Sequence, residues 1–346
     1  MTNRLFISEF VCGGQWPETG WDSSLAVEGR SMLLALLCDA ARIPDLEVVT
    51  TWDHRLAQLQ HPGVRIIQTN SQAEAAELFE DLVASSEATL LIAPEFDGLL
   101  TQRALLVEGI GSRLCGPNPA AIAQCSDKLL LSEILLEAGV PTIQTHEFSL
   151  EQTPAAEISF PAVIKPRDGA GSQETYLVLD SAELSRYRRS WGNSCLLSQA
   201  IWQPYVSGRA VSVAVLITPE QYRYEALPVC EQILSSDGRF HYQGGILPAR
   251  GVEAALIQAA AVAACRAVAG LRGFVGVDLI IPEGCPTQPL VVEINPRATT
   301  SYLGYTHLCE SNLLQRWLNP CENEAPLRWK SGRIQYLPNG EITQVD

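Results

Sequence analysis

The sequence predicts an α/β protein in which a parallel sheet with flanking helices precedes two further subdomains. Apolar strand-like runs alternate with helical patterns over the first 115 residues, and this alternation is typical of parallel α/β units. A run of turn formers, 114–119, then interrupts the pattern. Because 346 residues correspond to two or three domains at roughly 100–200 residues each, we predict three units, 1–115, 116–200 and 201–346.

Hydrophobic periodicity places the elements of the first unit. We predict strands at 5–10, 47–51, 64–68 and 89–93, and helices at 31–42 and 71–85. Since ligands approach the carboxyl ends of the strands in such sheets, Glu9, Gly13 and Gly14 are candidate substrate residues. Glu9 is a candidate for binding an amine, and an incidental glutamate at a strand end is the alternative.

The second and third units mix helices with hairpin-connected strands. In the second unit we predict a helix at 126–139, with Ser126 as N-cap and Gly139 just beyond its end. Further elements of this unit are strands at 160–165, 175–179 and 195–206, and a helix at 181–189. The third unit has predicted strands at 210–217, 275–281 and 290–295, and a long helix at 252–269.

Composition excludes several classes of partner. The net charge of −15 repels phosphate backbones and anionic lipids, so we expect no nucleic acid and no membrane partner. The longest apolar helix-like stretch, 32–41, is too short to span a bilayer. Ten cysteines show no C-x-x-C spacing, which favours reduced thiols in a cytoplasmic protein. The oligomeric state stays open between a monomer and a homodimer.

Three oxygen-bearing side chains are predicted to meet on the last hairpin. If the turn is centred between residues 285 and 286, Asp278 lies opposite Glu293, and Asn295 shares the face of Glu293. Two facing carboxylates require a counter-charge, and oxygen ligands suit Mg²⁺ or Mn²⁺. A solvated acidic strand face is the alternative, which the apolar neighbours make less favourable.

A lysine at a strand end precedes a loop of small residues. Lys165 follows the apolar run 160–164, and Gly169, Gly171 and Ser172 follow within seven positions. Glycines let backbone N–H groups approach phosphate oxygens, and a lysine adds a positive charge. Neither G-x-x-x-x-G-K-[ST] nor G-x-G-x-x-G occurs, which argues against a P-loop and a dinucleotide oxidoreductase. A turn between two strands is the alternative for the glycines.

The order of these elements resembles that of the ATP-grasp superfamily. The matching elements are Lys128 opening a helix, Val163-Ile-Lys165-Pro, the Gly/Ser loop, Gln203-Pro-Tyr-Val-x-Gly208, the Asp278 strand and Glu293-Ile-Asn-Pro-Arg297. The match covers about residues 115–310. The resemblance implies a Rossmann-like N-terminal domain followed by two ATP-grasp subdomains, and a ligase that activates a carboxylate as an acyl phosphate and joins it to an amine.

The resemblance also implies roles for individual residues. Lys128 and Lys165 would contact phosphates of ATP, and Gly169, Gly171 and Ser172 would cover them. Gln203 and the backbone of Val206 would meet adenine. The implied metal ligands are Asp278, Glu293 and Asn295, and the implied cations at the reacting phosphate are Arg297 and Arg250. A surface arginine is the alternative for Arg250.

The sequence leaves the substrates open. Segments such as 91–95 and 293–301 are similar to the tyramine–glutamate ligases of methanofuran biosynthesis, which would imply glutamate and an aromatic amine. Thr299 and Ser301 would line the acceptor site, with helix capping as the alternative. Ala210 stands where many superfamily members carry a ribose-binding glutamate. A different amino-acid or peptide ligase and a nucleotide-binding regulatory protein are therefore kept as alternatives.

Overall fold

The N-terminal part of the chain forms a parallel sheet with helices on both faces. The computed structural model describes residues 3–17, 23–151, 153–169, 171–191, 199–218, 223–319 and 325–346. The sheet has the order β3-β2-β1-β4-β5, with β1 Arg4–Glu9, β2 Glu47–Asp53, β3 Val64–Thr69, β4 Ala88–Ile92 and β5 Arg113–Leu114. All four pairings are parallel, which confirms the α/β class predicted from the alternation.

Three helices cover this sheet. They are α1 Ser23–Ala40, α2 Gln72–Ala84 and α3 Leu99–Ile110. Helix α1 starts eight residues before the predicted Ser31, because Gly29 weakens the helical pattern of the sequence. The missing side chain of Gly29 serves packing, since a Cβ there would lie 2.4 Å from Glu9 Oε1. Tertiary packing therefore overrides the low helix propensity of glycine.

Two consecutive helices, α4 Pro119–Ser126 and α5 Lys128–Glu137, lead out of the sheet. Asp127, and not the predicted Ser126, is the N-cap of α5, because its carboxylate accepts from the N–H groups of Leu129 and Leu130. Ser126 instead closes α4. The prediction for Gly139 is confirmed, since it follows the C-cap with a φ of +69°.

A four-stranded antiparallel sheet follows in the order β6-β9-β7-β8. Its elements are β6 His146–Phe148, β7 Ala162–Pro166, β8 Tyr176–Val178, helix α6 Ser181–Trp191 and β9 Ala200–Pro204. The predicted strand 195–206 is shorter, and residues 195–198 lie outside the described ranges. This sheet has its own core, in which Phe148, Ile164 and Trp191 are buried.

An eight-stranded sheet completes the described fold. Seven strands run in the order β15-β14-β10-β12-β13-β16-β17, and β11 pairs with β10. The strands are β10 Gly208–Thr218, β11 Arg223–Ala226, β12 Cys230–Leu234, β13 Tyr242–Leu247, β14 Gly273–Pro282, β15 Leu290–Asn295, β16 Ile334–Tyr336 and β17 Ile342–Gln344. The helices are α7 Ala254–Ala267, α8 Ser301–Leu308 and α9 Leu313–Leu318.

The eight-stranded sheet packs on both faces. Helices α4, α5 and α7 cover one face, and the other face shares a core with α1, α8 and the N-terminal sheet. The buried carboxylate of Asp39 in α1 accepts from the hydroxyls of Tyr302 at 2.5 Å and Thr306 at 2.9 Å. These bonds fix α8 against the N-terminal part, and α8 begins at the edge of the cavity described below.

The three-part division remains a proposal at the level of its boundaries. Strand β9, 200–204, pairs within the four-stranded sheet, which favours a second boundary after residue 204 and not at 200. Across the ranges that the structure describes, every helix is too short or too polar to cross a lipid bilayer.

Candidate active site

A cavity lies where the four-stranded and eight-stranded sheets meet. Thirteen of the seventeen residues singled out in the sequence line it: Lys128, Lys165, Gly169, Gly171, Ser172, Gln203, Val206, Asp278, Glu293, Asn295, Arg297, Thr299 and Ser301. These residues are spread over positions 128–301 of the chain, so the fold brings them together. Glu28 and Met32 of α1 close the cavity on the side of the N-terminal sheet.

The two acidic residues face each other as the hairpin geometry predicts. Asp278 of β14 lies directly opposite Glu293 of β15 in the antiparallel register. Asn295 Nδ2 donates to Asp278 Oδ2 at 3.0 Å, and Gln232 Nε2 donates to Asp278 Oδ1 at 3.0 Å. Three oxygen-bearing side chains therefore converge on one patch, with Gln232 as a partner that the sequence did not single out.

The protonation of this pair is asymmetric. Burial and the neighbouring Glu293 raise the pKa of Asp278 well above its usual range. Burial also opposes the ionisation of Glu293, but the positive charges of Lys128 and Lys165 outweigh it and lower the pKa of Glu293. The two carboxylates therefore differ in their preference for the charged form, and a divalent cation between them would offset their mutual repulsion.

The donor set fits a hard divalent cation. Within the described ranges, no cluster of three or more His, Cys, Asp or Glu side chains could hold a metal. Two carboxylates and one amide oxygen are instead the few protein ligands that Mg²⁺ takes when substrate phosphates complete its shell. Asn295 donates through its nitrogen and keeps its oxygen as an acceptor.

Two lysines face the acidic pair from the other side of the cavity. Lys165 ends β7 and is only 8% exposed. Burial lowers the pKa of Lys165 to about 8, and the charge of Glu293 opposes that shift. Lys128 is the first residue of α5, as predicted, and its Nζ donates to the carbonyl of Gly169 at 2.7 Å. The cavity therefore presents positive charge opposite negative charge, with space between.

The loop between β7 and β8 is held over this space from both sides. Gly171 and Ser172 have φ angles of +63° and +60°, the left-handed region that favours glycine. Ser172 Oγ donates to the carbonyl of Phe240 at 2.8 Å. Arg167 binds the Asp127 carboxylate with two hydrogen bonds at 2.8 and 2.7 Å, a contact that was not predicted.

The far end of the cavity is a hinge between β9 and β10. Gln203 is buried and donates to the Thr145 hydroxyl at 2.8 Å, and Val206 lines the cavity beside it. Gly208 is required by close approach, because a Cβ would lie 2.2 Å from the Ile281 carbonyl. Ala210 lines the cavity, so the position that departs from the superfamily pattern does face the site.

Arg297 follows β15 and lines the cavity between the acidic pair and α1. Its Nη2 donates to Glu95 Oε2 at 3.0 Å, and its Nε lies 2.8 Å from Glu95 Oε1 in an ion-pair contact that is not aligned as a hydrogen bond. Its Nη1 donates to the Ala298 carbonyl at 3.1 Å. Glu95 was not among the predicted site residues, although it follows the buried strand β4 just as Glu9 follows β1.

Comparison with known proteins identifies the family. The ATP-grasp domain family matches residues 125–301, which is half of the chain and contains the cavity residues described above from 128 to 301. The pre ATP-grasp 3 domain family matches residues 46–122, within the N-terminal sheet.

This chain belongs to the ATP-grasp family.

Two curated relatives and one solved structure show the range of the likeness. A D-alanine–D-alanine ligase of Moorella thermoacetica is 28% identical over 55% of this chain and 65% of its own length. A tyramine–L-glutamate ligase of Methanocaldococcus fervens is 22% identical over 88% of this chain and 90% of its own length. An ATP-grasp superfamily protein of Archaeoglobus fulgidus has a TM-score of 0.72 at 24% identity, covering 96% of this chain and 92% of that chain.

The chain matches only part of the length of the first curated relatives. The aligned region spans just under two-thirds of the D-alanine–D-alanine ligase of Moorella thermoacetica. A separate alignment with the chloroplastic biotin carboxylase of Arabidopsis thaliana spans 26% of that protein. The solved structure, at 24% identity, establishes the fold.

The substrate residues predicted at the end of β1 and just after it lie outside the cavity of this ATP-grasp chain. Glu9 is 2% exposed, does not line the cavity and accepts from the Cys12 N–H at 2.5 Å. Burial raises the pKa of Glu9 to about 7. A Cβ added to Gly13 would lie 2.7 Å from Thr51 Oγ1. A Cβ added to Gly14 would lie 2.2 Å from Thr69 Oγ1. Close packing therefore accounts for both glycines.

Arg250 is also outside the cavity. It is exposed, and its carbonyl accepts from Arg209 Nη2 at 3.0 Å. Its position matches the alternative stated for it, a surface arginine, so it does not enter the proposal below.

The predicted acceptor residues do line the cavity. Thr299 and Ser301 have hydroxyl oxygens 2.7 Å apart, next to Arg297. Helix α8 begins at Ser301 with Thr300 as its N-cap, and no side-chain hydrogen bond caps it. The capping alternative is therefore not what these hydroxyls do in this structure.

Proposed function

We propose that this chain joins a carboxylate to an amine at the expense of ATP, through an acyl phosphate, and releases ADP and phosphate. One observation carries the proposal: the half-buried pair Asp278 and Glu293 faces Lys128 and Lys165 across one cavity that Arg297 also lines. Opposed clusters of positive and negative charge suit a polyphosphate bound together with a divalent cation.

The residues of the cavity divide into three groups in this proposal. Lys128 and Lys165 bind phosphates of ATP, while Gly169, Gly171 and Ser172 cover them. Gln203 and the backbone of Val206 meet the adenine edge. Asp278, Glu293 and Asn295 hold Mg²⁺ or Mn²⁺, which when bound neutralises phosphate charge. The hydrogen bonds of Lys128 and Ser172 to the loop and its neighbour support the covering role, since they hold the loop over the cavity.

The protein acts on the reaction chiefly by position and charge. Phosphoryl transfer to a carboxylate needs the reacting oxygens held in line, and it needs little covalent help. In this proposal Arg297 binds the transferred phosphoryl group and the oxyanion that forms when the amine attacks the acyl carbon, and its position in the cavity lining supports this role. The loop that covers the phosphates keeps water from the acyl phosphate, which would otherwise hydrolyse.

The small-molecule carboxylate and amine are proposed from the relatives. The tyramine–L-glutamate ligase of Methanocaldococcus fervens aligns with 88% of this chain, which favours glutamate and an aromatic amine. The D-alanine–D-alanine ligase likeness supports a second candidate, the joining of two amino acids. Thr299, Ser301 and the α1 residues Glu28 and Met32 line the side of the cavity where these substrates would bind.

A nucleotide-binding regulatory protein is the third candidate function. The observation that favours it is Ala210, which lines the cavity without a group that could bind ribose. The complete set of charged residues around the phosphate site favours the ligase over it.

The test is turnover with Mg-ATP and a mixture of amino acids and amines that includes glutamate and tyramine, followed by mass spectrometry. ADP, phosphate and a new amide would establish the ligase and name its substrates. AMP and pyrophosphate would refute the acyl-phosphate route. Tight magnesium-dependent ATP binding with no turnover across the mixture would favour the regulatory protein.

A further inference from the structure

The turn after β4 connects the N-terminal sheet to the proposed reaction site. It contains Pro94, Glu95 and the helical turn Phe96–Gly98, and the Leu100 N–H donates to the Pro94 carbonyl at 3.2 Å. Asp97 and Gly98 both have left-handed φ angles, +54° and +66°. A non-glycine residue in that region is uncommon and requires support from its surroundings, so the backbone of this turn is closely specified.

Glu95 and Arg297 form a buried ion pair across 202 positions of the chain. Their side chains are 8% and 15% exposed, and two guanidinium nitrogens lie 3.0 and 2.8 Å from the two carboxylate oxygens. A buried ion pair adds little net stability, because desolvation offsets the attraction between the charges. The Nη2 hydrogen bond together with the adjacent Nε ion-pair contact does restrict the orientation of the guanidinium.

The same turn also contacts the loop that covers the phosphate site. The Asp97 N–H donates to Asp168 Oδ2 at 3.1 Å, and Asp168 lies next to Gly169. The residue that orients Arg297 and the residue that holds the loop are therefore two positions apart on one specified backbone. The position of the loop and the position of Arg297 therefore both depend on the turn after β4.

We propose that Glu95 is a positioning residue, which holds the Arg297 guanidinium toward the γ-phosphate and the acyl phosphate. Glu95 acts through Arg297 and does not itself touch the substrates. Nη1 and Nη2 each carry a second N–H group, which remains for the anion beside the bonds to the Ala298 carbonyl and to Glu95. This inference rests on the proposed function, because it requires Arg297 to face a phosphoryl group.

The test compares Glu95→Gln, Arg297→Lys and the double variant by two measurements. The first is affinity for Mg-AMPPNP, a non-hydrolysable ATP analogue, relative to Mg-ADP, which isolates the γ-phosphate without any turnover. The second is kcat for amide formation. Glu108→Gln is the matched control, since Glu108 pairs with Arg272 at 3.6 Å between α3 and the eight-stranded part of the chain, far from the cavity.

We expect Glu95→Gln to lower the AMPPNP-to-ADP affinity ratio about fivefold and kcat about 30-fold. The affinity for ADP should change little. The reason is that Arg297 without its carboxylate partner must be ordered at each binding event. In the Arg297→Lys background the same substitution should change neither quantity more than about twofold, since an ammonium has no plane for Glu95 to orient. Glu108→Gln should leave both quantities at their wild-type values.

Three results would overturn the positioning role. One is additive loss in the double variant, which would mean that Glu95 acts independently of Arg297. Another is tighter AMPPNP binding by Glu95→Gln, which would mean that Glu95 competes with the phosphate for the guanidinium. The third is an unchanged ratio and kcat. If Arg297→Lys alone leaves the affinity ratio unchanged, the failure lies in the proposed role of Arg297 and is thereby distinguished from a failure of Glu95.

Discussion

Two glutamates of this chain show how surroundings decide what a carboxylate does. Glu9 and Glu293 each lie at the carboxyl-terminal part of a strand, but Glu9 is buried whereas Glu293 is half-buried. Burial raises the pKa of Glu9 to about 7. The pKa of Glu293 is lowered, because Lys128 and Lys165 face it and outweigh the effect of burial. Glu293 lines a cavity, whereas Glu9 packs against backbone N–H groups and Gly29.

A carboxylate screened by the fold indicates a ligand site when opposite charges converge on it across open space, and burial alone, as at Glu9, does not. Around Glu293 the fold places two lysines, a second carboxylate and an amide, with a cavity between them. Around Glu9 the neighbouring space is filled, so its charge has no exchangeable partner.

Glu293→Gln should lower turnover by on the order of 10³-fold, similar to the largest losses found when one group stabilising transition-state charge is removed. The variant keeps the side-chain size but removes the charge that faces Lys165 and Asp278. The measurement is kcat for ADP formation at saturating Mg-ATP, with thermal unfolding as a check of the fold. Glu283→Gln is the control, since Glu283 is exposed on the turn of the same hairpin. Near-normal turnover of Glu293→Gln would remove Glu293 from the site.

Lys165→Met should weaken Mg-ADP binding and lower turnover about 100-fold, because the buried ammonium supplies charge to the phosphates. The pKa of Lys165, lowered to about 8 by burial, also predicts a pH dependence. The ammonium is present below that pH and is lost above it, so wild-type affinity for Mg-ADP should fall as the pH rises from 7 to 9.

The control for this prediction is Lys330→Met, an exposed lysine that donates to the His307 carbonyl. Calorimetric titration at pH 7, 8 and 9 distinguishes the variants. Lys165→Met should show a flat profile over this range, and Lys330→Met should follow the wild-type profile. A wild-type affinity that rises with pH would contradict the assignment of this lysine to the phosphates.

Gly171→Ala should lower turnover about tenfold while Mg-ADP affinity changes less than about threefold. Its φ of +63° costs about 1 kcal/mol or more for an alanine, and the loop must keep this conformation when it covers the phosphates. Gly139→Ala is the matched control, because Gly139 has a φ of +69°, open space around it and a position at the end of α5. Equal loss of turnover in both variants would indicate a general loss of stability.

Glu9→Gln should leave turnover within about twofold of wild type and change only stability. Because its pKa is raised in the folded state, Glu9 stabilises the fold below its unfolded pKa of 4.5, and this contribution is lost as pH rises toward 7. The wild-type free energy of unfolding should therefore fall over this range by on the order of 1–3 kcal/mol from this group. Glu9→Gln should flatten that fall in urea unfolding measured from pH 5 to 8. A turnover loss as large as that of Glu293→Gln would contradict the distinction.

Local patterns in the sequence predicted the charged core of the site well. Counting residues across the β14–β15 turn gave the pairing of Asp278 with Glu293, and a β-bulge between Asp278 and Leu279 brings the strands into that register. The ends of β7 and α5 placed Lys165 and Lys128 for the same local reasons. The family resemblance supplied their order along the chain and their roles.

Long-range contacts were beyond sequence reasoning. The partner of Arg297 is Glu95, 202 positions away, and no local period connects them. The glycines at 13 and 14 followed a strand just as site glycines do, and only the packing against Thr51 and Thr69 shows their use. Arg250 was selected by its type and its neighbours, and its exposure depends on how β13 leaves the eight-stranded sheet.

The acyl-phosphate route is the central claim, and the fate of a carboxylate oxygen tests it most directly. The carboxylate substrate found in the product screen is labelled with ¹⁸O and incubated with Mg-ATP and its amine, and the phosphate formed is analysed by mass spectrometry. We expect one ¹⁸O atom to pass to phosphate for each amide made. The carboxylate oxygen that bridges carbon and phosphorus in the acyl phosphate leaves with the phosphoryl group. Label in AMP, or phosphate without label, would contradict it.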